Sequence, residues 1–256
     1  MIRQETIHIK TKEIFRECMS KNISFVSFRL PNETDSITYI QHASPVNQYS
    51  DFESITNPDG FIVSGAESDE DHLYYLIQPD IEFKGVQSED YLDQIQSIIA
   101  KQRGFERKVN NYFPDETTQD EFIRNVEDAV RYIKSDQIKK VVLSKLIKVK
   151  KHKPNSYFEL YDQLSDTYPN AFVYLLFMPQ TGLWIGATPE PLLEIENGNA
   201  NLISLAGTQK VYAVADLQKV KWREKELWEQ KIVSNFIEDV IHAHDWTTFA
   251  AGAAVR

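Results

Sequence analysis

The sequence has a single cysteine and no long hydrophobic run. Cys18 is the only cysteine among 256 residues, so one chain can form neither a disulfide framework nor a thiolate zinc site. The first fifteen residues, MIRQETIHIKTKEIF, lack the apolar core of a signal peptide, and no later run is long enough to span a membrane. These features predict a cytoplasmic enzyme or binding protein of bacterial type, with no membrane partner.

Positive charge is also scarce. The chain has 28 lysines and arginines against 38 aspartates and glutamates, a formal net charge of −10. Because this balance repels phosphate backbones, we expect no nucleic-acid partner. The basic segment 145–153 is interpreted as a solvated strand end and turn. With 42% hydrophobic and 26% charged residues, the composition is that of an ordinary globular protein of one large or two small domains.

Periodicity predicts a mixture of strands and helices, with the first 90 residues consisting mainly of short strands. Strands are predicted at 24–30, 37–41, 61–64, 73–78, 81–84, 138–149 and 171–178. Helices are predicted at 91–103, from the capping box at Thr118 to Ile133, at 157–168 and at 220–241.

The segment 183–210 contains two unusual motifs. They are Gly186-Ala-Thr-Pro-Glu190 and Leu205-Ala-Gly-Thr208. Between them lies Asn197-Gly198, a dipeptide that tolerates positive φ at both positions and is typical of a two-residue hairpin turn. We expect the hairpin to bring the two motifs side by side, as half of an active site for a small polar molecule.

Lys140 and Glu190 are the candidate proton-transfer groups. A lysine that enters a buried strand can be desolvated and act as a base, although a solvent-facing lysine at a strand end is the alternative. Glu190 lies between Pro189 and Pro191, which restrict its backbone. If burial raises its pKa, Glu190 can act as a general acid; otherwise it is a polar turn residue.

The Leu205–Thr208 motif is a candidate for substrate contact. Gly207 allows a ligand to approach the backbone closely, and the Thr208 hydroxyl can donate a hydrogen bond. The alternative is a plain bend in the chain.

Glu226 and Glu229 are candidate metal ligands, because three residues apart on a helix they share one face. The same face continues into an apolar stripe of Val233, Phe236, Ile237 and Val240. Since burying two carboxylates is costly, a divalent cation is one remedy, and Mg²⁺ binds through few carboxylates. The alternative is an exposed helix start, where acidic residues suit the helix dipole.

These motifs, in this order, resemble those of the chorismate-utilising enzymes, over about 118–241. The matching pieces also include Lys140-Val-Val-Leu-Ser and Lys225-Glu-Leu-Trp-Glu-Gln230. The resemblance implies an α+β fold with large antiparallel sheets packed face to face and helices outside. It divides the chain into a variable β-rich part at 1–110, a chorismate-binding part at 111–241 and an atypical tail at 242–256.

Within this family the sequence looks most similar to isochorismate synthases of menaquinone or siderophore pathways. Lys140 and Ala206 match forms that use water rather than ammonia as nucleophile. The resemblance implies that Lys140 activates water, that Glu190 protonates the leaving C4 hydroxyl of chorismate, and that Glu229 binds Mg²⁺ with Glu226 in or beside its shell. The implied substrate contacts are Leu205, Ala206, Gly207 and Thr208. The implied protein is a monomer.

The chain departs from the family near its end. Family members continue beyond the Glu229 helix with a further metal-binding glutamate, substrate-binding residues and glycine-rich loops, whereas Gly252 is the only glycine after Gly207. We therefore expect a truncated chain that is inactive or poorly folded. Salicylate synthase, which uses the same residues, and a non-catalytic remnant of the fold are the alternatives.

Overall fold

The computed structural model describes residues 2–64, 73–106, 115–150, 157–209 and 220–243, with side chains from residue 9 onward. The helices are α1 Ile2–Ser20, α2 Glu89–Lys101, α3 Gln119–Lys134, α4 Tyr157–Thr167 and α5 Glu224–Ala243. The strands are β1 Ser24–Arg29, β2 Ile37–Gln41, β3 Asn47–Tyr49, β4 Phe61–Ser64, β5 Tyr74–Ile77, β6 Ile81–Lys84, β7 Phe172–Met178, β8 Gly182–Thr188, β9 Leu193–Glu196 and β10 Asn199–Leu202. In the described ranges, no helix is long and apolar enough to cross a membrane.

The chain forms two compact units. The first comprises residues 1–112 and 151–189, and the second comprises 113–150 and 190–256. Because these units follow the packing of the chain, their limits differ from the predicted domain limits at 110 and 241, which stay predictions. Helices and antiparallel sheets occur together, so the predicted α+β class is confirmed.

The first unit is built on a five-stranded antiparallel sheet in the order β6-β2-β1-β7-β8. Successive side chains of a strand point to opposite faces, so Phe25 and Val26 of β1 enter different clusters. Phe25 stacks on Phe15 of α1 with ring centroids 4.5 Å apart, in a cluster shared with α2 and α4. Val26 belongs to the other cluster, which includes Ile77 of the three-stranded β3-β5-β4 sheet.

Arg29 ties the end of β1 to the end of α4. Its side chain is buried, and its two terminal nitrogens donate only to main-chain carbonyls. Those carbonyls belong to Leu30, Glu33, Ser165, Tyr168, Pro169 and Ala171. A cation at this position also satisfies the last carbonyls of the helix, which have no partners within it.

Two sequence predictions of local structure are wrong. Residues 2–20 form a helix rather than part of a strand-rich region, because Ile14, Phe15 and Cys18 can be buried together on one helical face. The predicted strand at 138–149 does not form. Val142 and Val149 are each 83% exposed, and β-branched content alone cannot hold a strand that has no neighbour to complete its hydrogen bonds.

The second unit contains α3, the β9–β10 hairpin and α5. The predicted turn is confirmed, since Asn197 and Gly198 have φ values of 51° and 78°. The capping box of α3 is also confirmed, with the Thr118 hydroxyl accepting from the Glu121 N–H and the Glu121 carboxylate accepting from the Thr118 N–H. Among the described residues of this unit, none is fully buried.

Candidate active site

All of the predicted site residues lie in the second unit, and two of them form an ion pair. The Lys140 ammonium lies 3.3 Å from Oε1 of Glu229. Lys140 belongs to the irregular segment after α3, whereas Glu229 is in the second turn of α5. Residues 89 positions apart in sequence (229 − 140) are thereby joined, which supports the pairing of a candidate base with a candidate metal carboxylate.

The Leu205–Thr208 segment runs antiparallel along the beginning of α5. The Ser204 hydroxyl donates to the Gln230 carbonyl at 3.2 Å, and the Gln209 amide donates to the Lys221 carbonyl at 2.9 Å. Between these ties, Gly207 lies against Glu226. The segment is therefore fixed along the start of α5 beside Glu226, and the half-exposed Leu205 and Ala206 lie within it.

Gly207 is required by packing as well as by any ligand. A Cβ at this position would lie 2.8 Å from Cγ and 3.2 Å from Cβ of Glu226, which is closer than real contacts allow. Ordinary van der Waals contact between carbons needs about 3.5–4.0 Å. From the sequence, Gly207 was predicted to let a ligand approach the backbone. In the structure it also lets the Glu226 side chain approach.

Arg223 is a site residue that the sequence argument missed. Its Nε donates to Oε1 of Glu226 at 3.0 Å, its Nη2 donates to the same oxygen, and its main-chain N–H donates to Oε2 at 2.9 Å. These bonds, with the guanidinium contributing most, lower the pKa of the Glu226 carboxyl. The available signal was the spacing: a glutamate three residues after a helix-start residue is the acceptor half of a capping box.

The donor chemistry at Glu226 and Glu229 fits Mg²⁺. Both are carboxylates, and Mg²⁺ is usually held by one or two carboxylates while its remaining positions take water or an anionic substrate. Each carboxylate already has a cationic partner, Arg223 for Glu226 and Lys140 for Glu229. Within the described ranges, no group of three or more histidine, cysteine, aspartate or glutamate side chains is gathered as for a metal ion.

The Gly186–Glu190 motif is divided between the two units. Gly186 belongs to β8, where a Cβ would lie 2.5 Å from the Tyr174 ring, so this glycine serves the packing of the first unit. Glu190 begins the second unit and is exposed. The burial expected of a general acid is therefore absent, and the role of Glu190 as an acid stays a prediction.

Strand pairing does not place the two motifs side by side. Among the described strands, β8 pairs with β7, and β9 pairs only with β10. The hairpin was expected to align Gly186–Glu190 with Leu205–Thr208, but its strands do not extend the sheet that contains β8. The turn of the β9–β10 hairpin was predicted correctly. The turn sequence does not determine which strands the hairpin pairs with, because that depends on contacts with distant segments.

Comparison with known proteins gives the family. The sequence profile of the family described as chorismate binding enzyme matches residues 6–250, so the chain belongs to this family. Component 1 of anthranilate synthase from Acetivibrio thermocellus is 33% identical over 93 residues. That stretch is 36% of this chain and 18% of the relative, so the chain spans well under two thirds of the relative's length. No solved structure matches the chain.

The family resemblance inferred from the motifs is therefore confirmed at the level of chorismate-utilising enzymes. The similar protein is named for anthranilate synthesis, whereas isochorismate chemistry was predicted from Lys140 and Ala206. The particular reaction thus stays a prediction.

Proposed function

We propose that the protein is an isochorismate synthase, an isomerase that converts chorismate to isochorismate with Mg²⁺. The observation that carries the proposal is the Lys140–Glu229 contact of 3.3 Å on α5, the helix against whose Glu226 the Leu205–Thr208 segment packs. This contact supports a site that combines the candidate base Lys140, the candidate metal ligand Glu229 and the main chain of Leu205–Thr208. We place the protein in the cytoplasm as a monomer, in menaquinone or siderophore synthesis.

In this reaction Lys140 takes a proton from water as the water oxygen bonds to C2 of the chorismate ring. Both double bonds of the ring shift by one position, from C1=C2 to C1=C6 and from C5=C6 to C4=C5, and the C4–oxygen bond breaks. Glu190 donates the proton with which the C4 hydroxyl leaves as water. One water is added and one is lost, so the product is an isomer of the substrate.

The remaining residues bind and orient the substrate. Leu205, Ala206 and Gly207 offer main-chain groups, and Thr208 offers a hydroxyl donor. Glu229 would hold Mg²⁺, with Glu226 beside it, and the ion would neutralise the substrate carboxylate. Holding the reacting groups in one place lowers the entropic part of the barrier.

The test is a product assay with matched variants. The purified chain is incubated with chorismate and Mg²⁺, and the products are separated by chromatography. The proposed function predicts isochorismate, in contrast to the inactive chain expected from the missing family motifs, and a loss of about a hundredfold or more in Lys140→Ala and in Glu190→Gln. Lys139→Ala is the control, because Lys139 is exposed and pairs with Asp136 rather than with Glu229.

Other products would correct the assignment. Salicylate with pyruvate would identify a salicylate synthase. Anthranilate formed when ammonium is supplied would identify the activity for which the similar Acetivibrio protein is named. Chorismate that stays unchanged under both conditions would contradict an enzymatic role and favour a non-catalytic member of the family.

A further inference from the structure

The two carboxylates of the predicted metal pair are held in different ways. Glu226 is bound by Arg223, which immediately precedes α5 and is three residues away in sequence. Glu229 is bound by Lys140, which lies on a separate segment of the chain. The sequence spacing places these glutamates on the same face of α5 and suggests equivalent roles. Their contacts differ, however, so their roles need not be the same.

Glu226 has no oxygen left without a hydrogen bond. Oε1 accepts from the Arg223 guanidinium and Oε2 accepts from the Arg223 main-chain N–H. The side chain is only 11% exposed, and Gly207 lies against its stem. A cation that took Glu226 would break a two-nitrogen contact and remove the acceptor of the Arg223 main-chain N–H, just before α5.

Glu229 is held more weakly. Among the described residues, its ion pair is a single contact of 3.3 Å to Lys140, and the side chains of Glu229 and Lys140 are 36% and 26% exposed. Ion pairs between partly exposed groups contribute little to stability, and a lysine on its flexible stem can move away without disturbing the helix. A divalent cation can therefore replace the Lys140 ammonium at Glu229 without a rearrangement of α5.

We propose that Glu229 is the exchangeable carboxylate, at which a divalent cation displaces Lys140, and that Arg223 withholds Glu226 from the cation. Glu226 is then a positioning residue that sets the start of α5 against Gly207. Binding of the cation releases Lys140 from its ion pair, so the lysine assigned as the base becomes available when the site is loaded. The inference rests on the proposed function for the identity of the site.

The first test measures Mn²⁺ binding to the full chain by the electron paramagnetic resonance signal of free Mn²⁺. Because Lys140 competes for Glu229, we expect Lys140→Gln to bind about two- to fivefold more tightly than the parent chain. Lys139→Gln loses the same charge one residue away and should match the parent. Glu229→Gln should bind at least about tenfold more weakly.

The second test examines whether Arg223 withholds Glu226. Arg223→Gln should bind Mn²⁺ more tightly by about two- to fivefold, since it frees a second carboxylate. The gain should disappear in Arg223→Gln combined with Glu226→Gln, a double-mutant dependence that loss of helix stability alone would not produce. Lys225→Gln removes a positive charge from the same turn as Glu226 and is the control for the lost charge. The Mn²⁺ affinity of Glu226→Gln alone should stay within about threefold of that of the parent.

Three outcomes would overturn the proposal. They are weaker or unchanged binding in Lys140→Gln, a loss in Glu226→Gln as large as that in Glu229→Gln, and the absence of saturable Mn²⁺ binding to the parent. Where Lys140→Gln does not fold, Lys140→Met, which keeps the apolar stem, repeats the test. Mn²⁺ binding is measured without turnover. A product other than isochorismate would therefore reject the proposed function, while the Mn²⁺ measurements would still test the roles of Glu229 and Arg223.

Discussion

The two units of the chain differ in what they bury. Every fully buried side chain of the described residues lies in the first unit, whose cores include Phe25 and Val26 at 0% exposure. In the second unit, α3 has no buried residue, and Phe236 of α5 is 66% exposed. All of the candidate site residues lie in this second unit. Stability and candidate chemistry are therefore located in different parts of the chain.

The arginines show the same contrast. Arg29 of the first unit is buried and donates to six carbonyls, four of them at or just after the end of α4 and two just after β1. Arg223 of the second unit is exposed and binds a single carboxylate. A buried cation with many carbonyl partners stabilises the fold, whereas the exposed Arg223 holds one side chain at the start of α5 and contributes little to stability.

The largest expected effect is on the aromatic core. Phe25→Ala should lower the free energy of unfolding by about 3–5 kcal/mol, because a large buried ring leaves a cavity. Phe236→Ala, the matched change in the second unit, should lower it by less than about 0.5 kcal/mol. Urea unfolding followed by circular dichroism measures both. If both variants lost a similar free energy of unfolding, the difference in burial between the two units would not correspond to a difference in their contribution to stability.

Removing the buried arginine should have the next largest effect. Arg29→Met keeps most of the apolar stem but removes the guanidinium from six carbonyls, of which those of Leu30, Tyr168 and Pro169 keep a main-chain donor, so we expect a loss of about 2–3 kcal/mol. Arg131→Met on the exposed face of α3 is the control and should change stability by less than about 0.5 kcal/mol. Thermal unfolding compares them. An Arg29 variant as stable as the control would mean that water replaces the guanidinium at these carbonyls.

Alkaline pH should weaken the first unit through its cysteine. Burial raises the pKa of the Cys18 thiol from 9.0 to about 12. The unfolded chain loses this proton first, so the stability contributed by the thiol is fully present below pH 9 and is lost as pH rises towards 12. The expected slope is about 1.4 kcal/mol per pH unit in that interval. Urea titrations at several pH values should show a shallower decline in Cys18→Ala; equal slopes would contradict the assignment.

The smallest effect concerns the start of α3. Thr118→Ala removes the hydroxyl that caps the helix and should lower stability by about 1 kcal/mol. Thr118→Ser retains the hydroxyl and should restore most of it. Hydrogen exchange of the first-turn amides locates the change in the second unit. Unchanged exchange in the alanine variant would show that the capping box does not limit fraying of this helix.

Local patterns predicted much of the first unit and parts of the second. The alternation of residues 24–30 and the apolar run 171–178 predicted β1 and β7. The Thr118 box and the Asn197-Gly198 turn were also predicted, because hydrogen bonds within a few residues specify them. The segment 138–149 was predicted wrongly, because a strand needs a neighbouring strand that composition does not reveal.

The candidate site divides in the same way. Residue identities and their order were enough to assign the chorismate-binding family, since the motifs are continuous segments of the sequence. The contacts of Lys140 with Glu229 and of Gly207 with Glu226 join distant segments, so only folding brings them together. The sequence alone thus determined the family and the candidate residues. The tertiary structure decided which carboxylate holds which cation, because that choice depends on distances between side chains that are far apart along the chain.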